Sequence, residues 1–291
     1  MSDNIVQPQA AVVPTRTLRL GAWRMSATAA TIFLVIVALI PIWLVRVVPL
    51  SDWVNHLARM QVIAAGKHDP WLSAFYRIDW QLIPNLAMDV LVPPLAKVMG
   101  VYAAGKVFMS LTVVMMLTGP FAVQRAIYGR NDAWPLVAFL FVYNDIFLVG
   151  LANYLFGVGL SLWGLAAWIW LRERNLVLRM VVSFLFVFAL YVCHLYAAGL
   201  YGVALFGYEL RRWTERRFVL DRRLVVEILT IGIPFLPLLP LLLGSATWGL
   251  VHDFEWDLRG KLDALRMAVS GYTDLLDLVT LSLLGVAFFW G

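Results

Sequence analysis

Two things are scarce in this chain of 291 residues: charged side chains, at 14%, and cysteine, which occurs once. A single Cys193 has no partner within the chain, so a disulfide framework and a cysteine-based zinc site are both excluded. The sequence also lacks a Gly-Lys-Ser/Thr phosphate loop, zinc-ligand spacing and a Gly-x-Ser-x-Gly elbow. No basic patch interleaved with aromatic residues is present, so nucleic acid is not expected as a partner.

Hydrophobic residues are abundant, at 62% of the chain with a mean hydropathy of +0.81. A soluble globule could not keep that much apolar surface away from water, so the lipid bilayer is the expected solvent. Apolar runs of about 18 residues or more recur along the chain, which is the length that crosses a hydrocarbon core. The predicted fold is an all-α, polytopic bundle of about eight transmembrane helices, near residues 27–48, 103–123, 133–150, 152–171, 177–193, 195–211, 225–244 and 272–290.

The arginine clusters predict how this bundle is oriented. They can all be cytoplasmic together with the N-terminal segment 1–26, which satisfies the positive-inside rule. The clusters are Arg125 with Arg130, Arg172 with Arg174 and Arg179, and Arg211, Arg212, Arg216, Arg217, Arg222 and Arg223. This arrangement predicts a multi-pass protein of the bacterial cytoplasmic (inner) membrane, with a transmembrane domain over 27–291 and an extracytoplasmic loop over 49–102.

Residues 85–100 are apolar enough to span a membrane but contain Asp89, Pro93 and Pro94. A span here would move the Arg125 and Arg172 clusters to the outside. We therefore predict a re-entrant or juxtamembrane helix, because broken helices are tolerated where protein or water covers their backbone. The chain reaches Gly291 inside an apolar segment, which is consistent with a truncated product or with a natural stop.

The first outer loop opens with Ser51-Asp52-Trp53-Val54-Asn55-His56-Leu57-Ala58-Arg59. In a helix, Asp52, Asn55, His56 and Arg59 share one face, and Trp53, Leu57, Met60 and Ala64 line the opposite, apolar face. Such a helix would lie in the membrane interface. Asp52 could remove a proton from a hydroxyl while His56 and Arg59 hold a phosphate. Alternatively, Ser51 or Asp52 caps the helix and Arg59 contacts lipid headgroups.

Farther along the loop, Tyr76, Arg77, Asp79 and Trp80 precede Pro84-Asn85-Leu86-Ala87-Met88-Asp89. Asn85 and Asp89 are one helical turn apart. A charge among apolar residues usually faces protein or water in a membrane protein, so Asp89 is a functional candidate. The alternative is a structural ion pair with Lys97, Lys106 or a neighbouring arginine.

Polar residues also occur where later spans meet the outer surface. Asn144, Asp145 and Asn153 could face Asp52 across a cavity, and His194 could bind a phosphate or a sugar hydroxyl at its mouth. Alternatively, His194 is a buried histidine whose ring is satisfied by a tyrosine or a backbone carbonyl, and the sequence fits both interpretations equally. Small residues four apart, Gly157, Ser161 and the nearby Gly164, favour close helix packing.

A second outer loop contains His252, Asp253, Glu255 and Asp257. Such oxygen ligands suit Mg²⁺ or Mn²⁺, yet alternating acidic residues in a loop are more often simply solvated. We assign no metal site, and the cofactor requirement stays unknown.

Taken together, Ser51 to Arg59 after the first span, Pro84 to Asp89, Tyr143-Asn144-Asp145 and His194-Leu195-Tyr196 resemble a group of bacterial multi-pass membrane proteins. That group is similar to the GT-C glycosyltransferase superfamily, whose members use polyprenyl-phosphate-linked sugars. The resemblance implies that Asp52, in the first extracytoplasmic loop, serves as or orients the catalytic base. Many members have a second acidic residue in this loop, whereas Trp53 follows Asp52 here.

The resemblance implies inverting transfer of a sugar from a polyprenyl-phosphate donor to an extracytoplasmic acceptor, by the whole enzyme or a fragment of it. Asp52 would be the base, and His56, Arg59 and Arg77 would hold the phosphate. Asn85, Asp89, Asn144, Asp145, Asn153 and His194 would complete the cavity. Two alternatives stay open: a transporter or flippase, with a polar route across the bilayer, and a non-catalytic membrane subunit.

Overall fold

A computed structural model describes residues 18–20, 23–25, 27–217, 221–245, 256–271 and 273–290. The described part is all-α apart from one hairpin of two three-residue strands, β1 (Leu18–Leu20) and β2 (Trp23–Met25). The remaining residues of the predicted cytoplasmic segment 1–26 lie outside the description. Its orientation relative to a membrane stays a prediction.

Thirteen α-helices follow the hairpin in the described ranges. They are α1 (Ala27–Leu44), α2 (Trp53–Ala65), α3 (Pro70–Phe75), α4 (Ala87–Met99), α5 (Val101–Tyr128), α6 (Asp145–Val149), α7 (Ala152–Trp170), α8 (Leu176–Cys193), α9 (Leu195–Glu215), α10 (Arg222–Gly232), α11 (Leu238–Leu243), α12 (Leu258–Met267) and α13 (Asp274–Trp290). Short 3-10 helices cover Gly66–His68, Trp134–Phe141 and Ile233–Phe235.

Four helical segments are long and apolar enough to cross a membrane: Val101–Tyr128, Ala152–Trp170, Leu176–Cys193 and Leu224–Leu243. The segments Thr28–Leu44 and Trp134–Val149 are apolar but shorter. Helix length and composition are therefore compatible with a membrane protein that has four spans. The total of eight spans stays a prediction.

The core of the bundle is the pair α5 and α7, which run in the same direction. Phe108 stacks on Phe156 near the start of both helices, with ring centroids 4.8 Å apart, and Trp163 donates to Thr118 farther along. α8 runs antiparallel to α7, whereas α9 runs parallel to α7. Polar loops and helix ends therefore gather at two opposite ends of the bundle.

We name these two ends the loop end and the basic end. The loop end holds residues 45–53, 85–87, 144–153 and 192–196, which hydrogen-bond to one another through Ser51 to Leu148 and Leu86 to Val192. The basic end holds residues 171–179, 209–217 and 221–227, joined by ion pairs of Arg172 and Arg216. The outer-loop residues and the arginine-rich turns of the sequence thus occupy opposite ends.

Glycines permit the close approach of α7 to its neighbours, as the spacing predicts. A Cβ on Gly159 would lie 2.8 Å from Met115 Cβ and 3.0 Å from the Met116 backbone nitrogen. A Cβ on Gly157 would lie 2.5 Å from Ala197 Cβ. The packing interpretation of these small residues is confirmed.

We expect Gly159→Ala to destabilise the protein by about 1–3 kcal/mol, because the added methyl meets backbone that cannot move aside cheaply. Gly207→Ala in α9 is the matched control, since nothing lies within 4 Å of a Cβ there. The control should be neutral or slightly stabilising, because alanine favours helix over glycine. Thermal unfolding in detergent measures both, and equal melting temperatures would contradict the expectation.

Candidate functional site at the loop end

The backbone fixes where α2 begins and where Asp52 lies. The Ser51 and Asp52 amides donate to the carbonyls of Leu148 and Val149, both at 3.0 Å, which ties the first loop to the end of α6. Gly150 follows with φ of +93°, a left-handed conformation that glycine adopts without strain. Asp52 is the N-cap residue of α2, yet its side chain makes no capping hydrogen bond. The carboxylate is therefore left free for other partners.

Asp52 and His56 form a contact on one turn of α2. Asp52 Oδ2 lies 3.2 Å from His56 Nε2, and Asp52 Oδ1 accepts from Asn55 Nδ2 at 2.9 Å. The Asp52 side chain is 44% exposed and that of His56 only 15%. On the opposite face, Trp53, Leu57 and Met60 are buried, as the periodicity predicts. The arrangement presents an open carboxylate whose orientation is held by a largely buried imidazole.

Arg59, the next polar residue of this face, reaches α4. Its Nε lies 2.5 Å from Asp89 Oδ1, and the Asp89 side chain is only 2% exposed, against 54% for Arg59. This is the ion pair with a neighbouring arginine that the sequence allowed, not one with Lys97 or Lys106. Burial raises the pKa of the Asp89 carboxyl above its ordinary value of 3.8, and the charge of Arg59 opposes that rise without reversing it. Arg59 thus offers an exposed cationic edge beside Asp52.

Replacing Arg59 by glutamine should raise the pKa of Asp89 further, because the largest opposing charge is lost. A carboxyl with a raised pKa in the folded state holds its proton more tightly there than in the unfolded state. The free energy of unfolding therefore falls as pH rises from 3.8 through the folded pKa, and in Arg59→Gln this window extends to higher pH.

Infrared titration of the protonated carboxyl band, with Asp89→Asn to assign it, measures the shift. The control is Arg77→Gln, because Arg77 is exposed and lies in the extended stretch after α3. An unchanged titration in Arg59→Gln would contradict the assigned pairing.

Two asparagines of the predicted site bind each other and join α4 to α7. Asn153 Nδ2 donates to the backbone oxygen of Asn85 at 3.0 Å and to its Oδ1 at 2.8 Å, while Asn153 Oδ1 accepts from the Met88 amide at 2.8 Å. Asn85 has φ of +74°, which asparagine tolerates better than most residues. The Asn153 amide is buried and bonded at both its oxygen and its nitrogen, so it serves positioning, and Asp89 lies one turn after Asn85.

Asn144 and Asp145 are not brought to Asp52. Asn144 caps α6 by accepting from the Phe147 amide at 3.0 Å, and it donates to the Ala268 carbonyl at 3.0 Å. Asp145 lines a separate cavity of about 270 Å³, together with Arg266, Asp274 and other residues of 263–277. None of these contacts reaches Asp52, and a cavity that Asn144, Asp145 and Asn153 share with Asp52 stays a prediction.

His194 joins α8 to α9 at the same end of the bundle. Its Nδ1 accepts from the Tyr196 amide at 3.2 Å, which caps α9, and its ring meets Tyr154 edge-on with centroids 5.4 Å apart. The sequence allowed a histidine satisfied by a tyrosine or a backbone carbonyl; in the structure the ring meets a tyrosine, but its backbone partner is an amide and not a carbonyl. His252, Asp253 and Glu255 lie outside the described residues, and Asp257 precedes α12. Within the described ranges, no group of three metal-ligating side chains occurs.

An apolar cavity of about 540 Å³ lies between α4, α7 and α8. Its walls include Leu86 and Val90 of α4, Phe156 of α7 and Phe188 of α8, and Trp80 and Leu82 form part of its rim. Asp89 is absent from the lining, because it points to the side of α4 that faces α2. The cavity can take a hydrocarbon chain within one helix diameter of the Asp52 face.

Sequence reasoning missed a second cluster, at the basic end. Arg172 binds Glu209, and its Nη2 lies 2.8 Å from Glu227 Oε1, while the indole nitrogens of Trp168 and Trp213 donate to the same two carboxylates at 2.9 Å. Asp89 was a candidate because it is a charged residue within an apolar run. Glu209 and Glu227 meet the same criterion. The arginines had instead been interpreted only as orientation signals.

At the loop end, an open carboxylate and an exposed guanidinium share the polar face of α2, and an apolar cavity lies beside α4. Comparison with protein-family models, with curated proteins and with solved structures found no match to this chain.

Proposed function

We propose that the chain is a GT-C-like glycosyltransferase, or part of one, which moves a sugar from a polyprenyl phosphate to an extracytoplasmic acceptor. The observation that carries the proposal is the Asp52–His56 contact of 3.2 Å with Asp52 still 44% exposed. A general base needs both properties, a fixed orientation and access to the hydroxyl whose proton it removes. An aspartate engaged only in capping its helix would meet neither requirement.

In the proposed reaction, Asp52 removes the proton of the acceptor hydroxyl as its oxygen attacks the anomeric carbon of the donor. The bond from that carbon to the phosphate oxygen breaks, and the electron pair leaves with the polyprenyl phosphate. One glycosidic bond replaces one sugar–phosphate bond, with inversion at the anomeric carbon. His56 holds the Asp52 carboxylate in position through their 3.2 Å contact, and the phosphate role that the resemblance implies for it stays a prediction.

Arg59 is the proposed contact for the leaving phosphate. Its side chain is 54% exposed although its Nε is engaged by Asp89, so the other nitrogens of the guanidinium stay available to an anion. Arg77 lies exposed in the same loop and adds positive charge there. The apolar cavity bounded by α4, α7 and α8 would receive part of the isoprenoid chain.

The proposed membrane arrangement has the basic end in the cytoplasm and the loop end exported. It extends the four candidate spans to eight by including α1, the Trp134–Val149 segment, α9 and α13, in a bacterial inner membrane with a cytoplasmic N-terminus. The positive-inside rule favours this orientation, because the arginines gather at the basic end and the first loop is then exported.

Single cysteines test the arrangement in a Cys193→Ser background. Tyr76→Cys at the loop end should react with a membrane-impermeant maleimide in intact cells, and Glu173→Cys at the basic end should react only after lysis; both side chains are exposed. The reverse pattern would remove the proposed reaction, because Asp52 would face the cytosol.

A transporter would need polar residues along a route through the bilayer. A polar route would use Asp89, Asp145 and His194, yet Asp145 and His194 lie at the loop end, Asp89 lies just beyond it in α4, and the three have different surroundings. No observation therefore favours transport over catalysis.

Mass spectrometry of surface glycans and lipid-linked intermediates in a strain lacking the gene tests the proposed activity. We expect one glycan to lose a sugar and the matching polyprenyl-phosphate sugar to accumulate. Unchanged glycans together with unchanged lipid-linked intermediates would overturn the proposal.

A further inference from the structure

Helix α12 carries an exposed stripe of leucines. Leu258, Leu262 and Leu265 follow the i, i+4, i+7 spacing that places side chains on one helix face. They are 60%, 58% and 69% exposed, and none of the 10 residues of α12 is buried. A surface helix of a soluble protein turns such a stripe towards its core. In α12 the stripe points away from the described part of the chain, so another apolar medium has to cover it.

The charged side of α12 borders a polar cavity at the loop end. Asp263 and Arg266 line the cavity of about 270 Å³ that also contains Asp145. The Asp145 amide donates to the Ser270 carbonyl at 2.9 Å, just after α12 ends. The helix is thus fastened to the start of α6, with charged residues towards the cavity and the leucines on a different face.

The loop end lies at the level where candidate membrane spans begin and end. α7 begins there at Ala152, and α8 ends there at Cys193. The first loop reaches the same level, because the Leu86 amide donates to the Val192 carbonyl at 2.8 Å. Just before this bond, Trp80 is 58% exposed, and tryptophan is enriched at the boundary between hydrocarbon and water. α12, which is fastened to the residues preceding α7, therefore lies at a membrane boundary.

The charges of α12 suit a phospholipid surface. The helix contains Arg259, Lys261 and Arg266 against the single carboxylate of Asp263. Cationic side chains beside an apolar stripe contact lipid headgroups while the leucines enter the acyl region. Trp256, 66% exposed just before the helix, adds an aromatic residue of the interfacial type. A second copy of α12 is a poorer partner, because the same excess of positive charge would then face itself.

We propose that α12 is an interfacial helix that lies in the plane of the membrane and holds the loop end against the phospholipid surface. Leu258, Leu262 and Leu265 enter the boundary between headgroups and acyl chains, to a depth of about 5–10 Å. The cations of the helix remain at the level of the lipid phosphates. This role depends neither on the proposed transferase activity nor on which side of the membrane the loop end faces.

Spin labels on single cysteines test the proposal in the full chain, in a Cys193→Ser background and in vesicles of phosphatidylethanolamine and phosphatidylglycerol. Leu262→Cys reports on the leucine stripe, and Asp263→Cys, one position later on the cavity side, is the matched control. Electron paramagnetic resonance compares collisions of each label with oxygen, which concentrates in the acyl region, and with a water-soluble nickel chelate. We expect the ratio of oxygen to nickel collisions to be several-fold higher at position 262 than at position 263.

Leu265→Cys repeats the measurement on the same face, so the proposal stays testable if Leu262→Cys fails to fold. Labels at these two positions that favour the nickel chelate would place the stripe in water and overturn the proposal. Labels that neither reagent reaches would overturn it as well, because protein, such as a second copy of the chain, would then cover the stripe. None of these measurements involves sugar transfer, so a failure here is distinguishable from a failure of the proposed function.

Discussion

Asp52→Asn is expected to lower the rate of sugar transfer by about 10²–10⁴-fold, the usual contribution of a positioned general base. The protein should fold and insert normally. Asp52 makes no side-chain cap for α2, and the loop is held by backbone bonds from Ser51 and Asp52 to the end of α6. Asparagine keeps the size of the side chain and can still accept from Asn55. Only the capacity to take a proton is removed.

The measurement is transfer from a polyprenyl-phosphate sugar in membranes, with insertion checked by detergent extraction and gel filtration. Asp79→Asn is the matched control, because Asp79 lies exposed in the same loop and its carboxylate has only a 3.4 Å contact with Gln81. His56→Ala should lower the rate less than Asp52→Asn, since it removes the orientation of the base and leaves the base itself. Full activity of a properly inserted Asp52→Asn protein would end the catalytic assignment.

The amphipathic helix α2 was predictable from sequence, because the spacing of its polar and apolar residues alone determines which side chains share a helix face. The periodicity that grouped Asp52, His56 and Arg59 also buried Trp53, Leu57 and Met60. Which helix the polar face would meet was not predictable. Arg59 pairs with Asp89, thirty positions later in the chain, where α4 packs against α2 and Asn153 bonds Asn85 just before α4.

For other polar residues, the sequence indicated that they are unusual but did not indicate which contacts they make. Asn144 and His194 lie where helices begin, and their side chains satisfy backbone N–H groups there, a role that sequence spacing does not separate from ligand binding. The predicted spans 177–193 and 195–211 separate at His194, and the structure agrees, since α8 ends at Cys193 and α9 begins at Leu195. Pro93 and Pro94, by contrast, lie inside α4 without ending it.

Arg172→Met should give the largest loss of stability of any substitution considered, about 3–5 kcal/mol, because it leaves two buried carboxylates without their shared cation. Glu209 is 1% exposed and Glu227 10%, so neither can recover its hydration. The indoles of Trp168 and Trp213 would continue to donate but carry no compensating charge. The junction of α7, α9 and α10 should loosen first, which limited proteolysis between α9 and α10 would detect.

Arg174→Met is the control for this change, since it removes an exposed arginine from the same turn and should cost little. Adding Glu209→Gln to Arg172→Met should restore part of the lost stability, because the buried carboxylate that loses its hydrogen-bonded arginine is then neutral, while Glu227 keeps Arg216. A double-mutant cycle on the melting temperatures measures that coupling. If the two substitutions were simply additive, the arginine and the glutamate would not act as a pair, and the basic end would owe its stability to helix packing alone.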